Sequence, residues 1–184
     1  EEWVSISPDL STQDPQKTTA TGSGAEAYRV VYALAESPVV AGLLWAGTDD
    51  GKLWVTENDG QRGSDLTAGL PAAVKGQWIG RIEAGAKDSK VAYLVVDAHR
   101  TGKLAPFVFR TADLGRTWQS VSGDLPADVP VKVLREDPAN GDVLYAGTET
   151  GLFVSFDRGG RWTKLGGLPT VAVGPGPRLR GECI

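Results

Sequence analysis

Apolar and polar positions alternate with a period of two in short stretches along the whole chain, as in Phe107-Val108-Phe109-Arg110 and Val131-Lys132-Val133-Leu134. Alternation of this kind turns one side of a strand toward a core and the other toward water. Each stretch is closed by Gly, Pro, Asp or Asn, the residues that make turns. No segment carries a convincing amphipathic helical pattern. The middle of the chain divides into four such stretches. They predict strands at Trp78–Glu83, Lys90–Asp97, Pro106–Thr111 and Thr117–Ser122.

The same four-stretch unit recurs. Leu44-Trp45-Ala46-Gly47-Thr48-Asp49-Asp50-Gly51 aligns with Leu144-Tyr145-Ala146-Gly147-Thr148-Glu149-Thr150-Gly151, and more weakly with Ala92-Tyr93-Leu94-Val95-Val96-Asp97. Each copy is followed by a further strand, a turn and a closing Leu-Pro, at Leu70-Pro71, Leu125-Pro126 and Leu168-Pro169. The turns carry the strongest signal. Thr111-Ala112-Asp113-Leu114-Gly115-Arg116-Thr117-Trp118 fits Ser/Thr-x-Asp-x-Gly-x-Thr-Trp throughout. Ser155-Phe156-Asp157-Arg158-Gly159-Gly160-Arg161-Trp162 departs from it only at Arg161. Thr56-Glu57-Asn58-Asp59-Gly60-Gln61-Arg62-Gly63 is a decayed copy with Asn58 for Asp and Gly63 for Trp.

The spacing has a physical cause. An Asp in a hairpin loop accepts hydrogen bonds from the backbone N–H groups ahead of it. The Gly two places later takes a positive φ without steric cost. The Trp then stands on the next strand and packs back over the loop. Loss of both Asp and Trp predicts a looser turn in the first copy.

A four-stranded unit repeating roughly every 50 residues is the signature of a propeller blade. The fold class is therefore all-β, a β-propeller segment of about three four-stranded antiparallel blades with partial blades at both ends. The expected boundaries are 28–71, 72–126 and 127–169. Residues 1–27 form the last strand of a preceding blade and a loop, because Trp3-Val4-Ser5-Ile6-Ser7-Pro8-Asp9-Leu10 resembles Trp118-Gln119-Ser120-Val121-Ser122-Gly123-Asp124-Leu125. The polar stretch from Ser11 to Ala25 reads as a mobile loop. Residues 170–184 begin a further blade at Thr170-Val171-Ala172-Val173 and end in an irregular tail. Open blade edges favour self-association.

Composition narrows the partners. The 24 glycines, 11 prolines and 6 tryptophans suit a fold of many turns and large packing residues. The formal charge is -4, with no dense basic stripe, which argues against nucleic acid. Cys183 and His99 are the single cysteine and histidine, so no internal disulfide and no Cys/His metal site can form. No apolar run is long enough for a transmembrane helix, and no signal peptide is visible. No cofactor is expected.

The three turns, with Ala35-Glu36-Ser37-Pro38, Arg135-Glu136-Asp137-Pro138 and the Ala-Gly-Thr segments quoted above, resemble the bacterial sortilin-like proteins. These are glycosyl-hydrolase-type Asp-box propellers carrying bacterial neuraminidase repeats. The resemblance covers residues 1–173. It implies a larger, exported propeller. It also implies structural Asp-box roles for Asn58, Gly60, Asp113, Gly115, Trp118, Asp157, Gly159 and Trp162. Asp boxes occur in sialidases, xyloglucan-cleaving enzymes and sortilin-type receptors alike, so chemistry taken from the family is fold-level analogy.

Asp97-Ala98-His99-Arg100 joins a carboxylate, an imidazole and a guanidinium. The cluster could bind an anionic or sugar ligand or relay a proton, or be a loop whose Asp and Arg pair with each other. Asp49, Asp50 and Glu149 sit in equivalent loops. Carboxylates facing each other across a groove could cleave a glycosidic bond, while repetition of one turn explains them more simply. Trp45, Trp54, Trp78, Trp118 and Trp162 could stack on sugars but suit packing between blades. Arg81, Arg110 and Arg135 invite comparison with a sialic-acid arginine triad, without the accompanying motifs. The expected function is a recognition or scaffold module for a protein, peptide or glycan. The alternative is part of a glycoside hydrolase using Asp97, His99, Asp49 or Glu149, with Asp97, His99, Arg100 and Asp50 as candidate ligand contacts.

Overall fold

The computed structural model describes residues 2–15 and 29–167. It contains three four-stranded antiparallel sheets. The first is β1 (Val31–Glu36), β2 (Leu44–Thr48), β3 (Leu53–Thr56) and β4 (Gly63–Asp65). The second is β5 (Trp78–Ala84), β6 (Ala92–Asp97), β7 (Phe107–Thr111) and β8 (Gln119–Ser120). The third is β9 (Val131–Glu136), β10 (Leu144–Thr148), β11 (Gly151–Ser155) and β12 (Thr163–Lys164). Each sheet runs as a meander in chain order. The chain is a β-propeller segment, and the sheets are its blades 1, 2 and 3.

The blades stack through apolar faces. Trp45, Leu53 and Val55 of blade 1 pack into one core with Ile79, Ile82 and Leu94 of blade 2. Tyr93, Val95 and Val108 of blade 2 pack into a second with Leu134, Leu144 and Phe153 of blade 3. All six residues of β6 are buried. Its Ala92, Leu94 and Val96 serve the first core, while Tyr93 and Val95 serve the second. A strand covered on both sides is why that stretch reads as a continuous apolar run. Each of its buried Leu and Val side chains contributes roughly 1.5–3 kcal/mol through burial.

The expected strands of blade 2 are present, the first one residue longer and the other three with shorter ends. The fourth is reduced to two paired residues, because its register with β7 ends after Phe109–Ser120 and Arg110–Gln119. Each inner strand, β1, β5 and β9, carries a register shift near one end.

The three turns are superposable in their hydrogen bonds. The hydroxyl of Thr56, Thr111 or Ser155 donates to the side-chain oxygen two residues on, at 2.9, 2.8 and 2.8 Å. The same hydroxyl accepts the N–H of Gly60, Gly115 or Gly159 at 3.1, 2.9 and 2.8 Å. The carboxylate or amide oxygen then accepts the N–H of Arg62, Thr117 or Arg161 at 2.9, 2.9 and 2.8 Å. The first turn therefore keeps the three bonds common to all, without the further bond that the Thr117 hydroxyl gives Asp113. Asn58 keeps the one acceptor oxygen that the turn uses, so loss of the charge leaves the geometry intact. The residue before each glycine also has positive φ, at Asp59, Leu114 and Arg158, which the sequence reading did not anticipate.

The indoles differ from one another. Trp118 donates back to Gly115 O of its own turn at 3.1 Å, as expected. Trp162 instead reaches Val121 O in blade 2 at 3.1 Å.

Residues 2–15 form no strand. Ser11–Pro15, the described part of the expected mobile loop, is anchored where Thr12 donates to Asp50 through its N–H (2.8 Å) and its hydroxyl (2.6 Å). Leu168-Pro169, Thr170–Val173, Cys183 and the tail lie outside the described residues.

Two outcomes test these points. Trp45 is 0% exposed, so Trp45→Ala destabilises by about 3–5 kcal/mol in denaturant unfolding. Hydrogen bonds from the Thr117 hydroxyl, the Thr117 N–H and the Thr111 hydroxyl hold the Asp113 carboxyl at about 2, below its ordinary 3.8. Its stabilising contribution is complete above pH 3.8 and is lost as the pH falls toward 2. Thermal melts between pH 5 and pH 2 will show a smaller acid-induced fall in Tm for Asp113→Asn than for wild type, whereas Asp113→Ala lowers Tm throughout.

Candidate functional site at the loop rim

The second strand of each blade ends in an acidic residue or is directly followed by one, at a common register. Thr48, Val96 and Thr148 pair with Val31, Ile79 and Val131 on the inner strands. The next residues are Asp49, Asp97 and Glu149. The series places one carboxylate per blade on the same rim, beside the starts of β1, β5 and β9. The repeat alignment had Asp97 level with Asp49 and Glu149, although the site reading placed it in a separate cluster with His99 and Arg100.

Each carboxylate is met by the next blade or by the adjoining chain. Asp49 Oδ1 accepts the N–H groups of Arg29 (2.8 Å) and Val30 (2.9 Å), and Arg100 Nη1 of blade 2 lies 3.7 Å from Oδ2. Asp97 Oδ1 accepts the His99 N–H (3.0 Å) and lies 2.6 Å from the imidazole Nδ1. Its Oδ2 accepts from Lys132 Nζ of blade 3 at 2.9 Å. Lys132 Nζ is also 3.7 Å from Glu149, the one exposed member of the series. Burial works against ionisation of Asp97. The His99 N–H, Lys132 and the His99 ring outweigh it and hold the carboxyl below its ordinary value.

Asp50 points elsewhere. It is buried, accepts the Thr48 hydroxyl at 2.5 Å and holds Thr12. The geometry makes it an anchor for the N-terminal segment.

An aromatic and cationic surface adjoins the acids. Trp78 opens β5 and pairs across the sheet with Asp97. The Arg100 guanidinium carbon sits 4.3 Å from the Trp78 ring centre. Tyr32 of β1 meets the indole edge-on with centroids 4.5 Å apart, and the His99 ring lies 5.9 Å away. The short 3-10 turn His99–Thr101 ends at Gly102 with φ of 74°, and the Thr101 hydroxyl donates to Gln77 at 3.0 Å. These bonds set the positions of His99 and Arg100. Tyr32 is 57% exposed, Trp78 half-buried.

The other candidates separate. Arg81 (3.3 Å) and Arg135 both pair with the buried Glu83, whose carboxylate occupies the place between them. Arg110 belongs to another group, with Tyr93 and Glu136. There the Tyr93 hydroxyl donates to Glu136 at 3.0 Å, and burial, then the Glu136 charge, pushes the phenol up to about 12. Trp45 and Trp162 are buried packing residues, and Trp54 donates to Leu10 O at 2.7 Å. Asp113 and Asp157 serve their turns.

Tyr32, Lys132 and Glu83 were not singled out in the sequence. Their signal was present in the register. All three stand on inner strands, where Lys132 meets Asp97 of blade 2, Tyr32 meets Trp78, and Glu83 meets Arg81 and Arg135. Among the described residues no group of three His, Cys, Asp or Glu could hold a metal ion. No helix there is long and apolar enough to cross a membrane.

No protein-family model and no curated protein matches the chain. Solved propellers do match in structure. An ancestral GH74 enzyme is 19% identical with a TM-score of 0.59, over 76% of this chain and 19% of its own. The GH74 xyloglucanase from Xanthomonas campestris is 19% identical with a TM-score of 0.53, over 77% of this chain and 24% of its own. YCF48 from Cyanidioschyzon merolae is 15% identical with a TM-score of 0.53, over 74% and 37%. The class is therefore β-propeller. The chain spans only about a fifth to two-fifths of the length of these neighbours.

The Asp97 cluster gives a direct measurement. Lys132→Ala removes a donor and a positive charge, so the Asp97 carboxyl titrates closer to its ordinary 3.8. Carbon-detected NMR titration of the side chain reads the shift, and an unchanged titration would contradict the pairing.

Proposed function

We propose that these blades form a recognition module whose loop rim binds a protein or peptide ligand around Tyr32, Trp78, His99 and Arg100. One observation carries the reading. Asp49 and Asp97 are engaged as ties between blades, and what they leave facing outward is a tyrosine, an indole with an arginine laid on it, and an imidazole. Tyrosine, tryptophan and arginine are the side chains that dominate binding energy at protein interfaces, because each joins a large apolar area to a polar handle.

The glycosidase alternative is less well supported. Hydrolysis with general acid catalysis needs a carboxyl whose pKa is raised beside a second that is ionised. Asp97 is shifted the other way. Asp49 is buried under two N–H donors. An exported setting belongs to the same proposal and is carried by the family resemblance.

Panning a displayed peptide library against the chain tests the reading. Tyr32→Ala and Arg100→Ala should each weaken a selected peptide by about tenfold or more with the fold intact. Equal affinity for both variants would remove this rim from the account. Cleavage of a glycan by wild type, abolished in Asp97→Asn or Glu149→Gln, would put the hydrolase in its place.

A further inference from the structure

The two joints between blades share one register, and its residues differ. Across blade 1 it runs through Ala35, Trp45 and Val55, across blade 2 through Glu83, Tyr93 and Arg110, and across blade 3 through Arg135, Tyr145 and Val154. In blade 1 all three are apolar and lie in one core with Ala84, the last residue of β5. The residue of β9 in the place of Ala84 is Glu136, since each stands opposite the first residue of its second strand, Ala92 or Leu144. The joint between blades 2 and 3 thus carries a phenol, a guanidinium and a carboxylate where the other joint carries an indole, a valine and an alanine.

A polar cleft of 440 Å³ opens at this joint, lined by Arg110, Glu136, Lys87, Asp142 and Arg158 among others. It lies at the end of the blades away from the rim, because Tyr93 and Asp97 stand at opposite ends of β6. Its acids already have donors. Glu136 Oε1 accepts the Tyr93 hydroxyl at 3.0 Å, and Oε2 accepts the Ala86 N–H at 2.5 Å. Asp142 Oδ1 accepts Arg158 Nε at 2.6 Å, and Asp88 Oδ1 accepts the Lys90 N–H at 2.9 Å. Its cations are less fully engaged. Arg110 Nε is buried and has no hydrogen-bond partner among the described residues. A buried donor left so costs the full desolvation of the group. Arg158 uses its Nε on Asp142, which leaves its Nη donors over, and its side chain is 58% exposed. Lys87 gives one of its three N–H groups to Ala139 O.

We infer that this cleft binds a small organic anion through a carboxylate, phosphate or sulfate group held by Arg110, Lys87 and Arg158. A guanidinium fork matches two oxygens of such a group, and the bonds are charge-assisted. The volume falls in the range of roughly 300–1,000 Å³ typical of small-molecule pockets, so the charged group can carry a body behind it. The repeat closes its other joint with apolar residues alone, so the fold itself does not call for a guanidinium here. This site stands apart from the peptide rim and does not rest on it.

Citrate, inorganic phosphate and sulfate are titrated against the chain while NMR follows the arginine Nε–H signals, with sodium chloride at matched ionic strength as the control. The Arg110 signal should move saturably with at least one probe, with a Kd of about 1 mM or tighter by calorimetry. A response to citrate alone assigns a carboxylate, and one to phosphate and sulfate alone a tetrahedral group. Arg110→Val installs the residue that blades 1 and 3 have at this register, so the fold is kept while affinity falls by about tenfold or more. Lys87→Ala combined with Arg158→Ala, both on the exposed surface, should weaken binding to a similar degree. Arg100→Ala at the rim should leave it unchanged. A shift no larger than that with chloride, undiminished affinity in Arg110→Val or in the Lys87 and Arg158 double variant, or an equal loss in Arg100→Ala overturns the inference.

Discussion

A hydroxyl and a side-chain oxygen two residues apart hold each blade's last hairpin, and the other features of the fold follow from what that small turn permits. The hydroxyl caps the glycine N–H while the oxygen receives the N–H two residues beyond. Between them the backbone is fixed in two successive positive-φ residues. The glycine has no Cβ, so a neighbour comes close to it: the chain at Ile6 over Gly60, the Leu66 side chain over Gly115, and the Val121 backbone of blade 2 over Gly159. A substitution at Gly159 would fail twice, once through φ and once through that backbone. The turn is thus both a local bend and a spacer between blades, and the apolar faces meet at the distance it sets.

This double duty explains which parts of the fold were legible in the sequence. The turns could be read because their chemistry compels residue types at fixed spacing. Asn58 shows the limit of reading them by charge. The turn needs an acceptor, not an anion, so a copy that looked decayed is geometrically whole. Strand ends were less legible, since Lys90 and Thr117 have strand-like neighbours but no ladder partner, and β8 stops after two pairs. The rim was harder still. The repeat alignment put Asp97 level with Asp49 and Glu149, but the loop after Asp97 runs to Phe107 whereas that after Thr48 runs only to Leu53, so the three acids did not read as one series of sites. Tyr32 and Lys132 read as the solvent side of an alternation, and only the stacking of inner strands turns Tyr32 toward Trp78 of the next blade and Lys132 toward Asp97 of the preceding one.

The rim acids illustrate how repetition recruits charge for assembly. An exposed ion pair contributes about 0–1 kcal/mol, which describes Lys132 with Glu149. Asp97 is different, since three donors converge on a partly buried carboxylate and charge-assisted bonds are roughly twice as strong as neutral ones. A carboxylate so satisfied has little capacity left to take a proton or attack a substrate. Its effect is to fix His99 and, through Lys132, to bind blade 2 to blade 3. The fixed loop then carries Arg100 over Trp78.

Stability is therefore uneven across the stack, and the unevenness falls across the proposed ligand surface. In a repeat array each unit is stabilised by its own fold and by its nearest neighbours. Blade 2 has both faces in apolar cores, whereas blade 1 has one. Trp78, His99 and Arg100 stand on blade 2 and inherit its rigidity. Tyr32 stands on β1, whose outward neighbour Leu34 is open to solvent. A ligand gripped between Tyr32 and Trp78 spans the joint between a doubly supported sheet and a singly supported one.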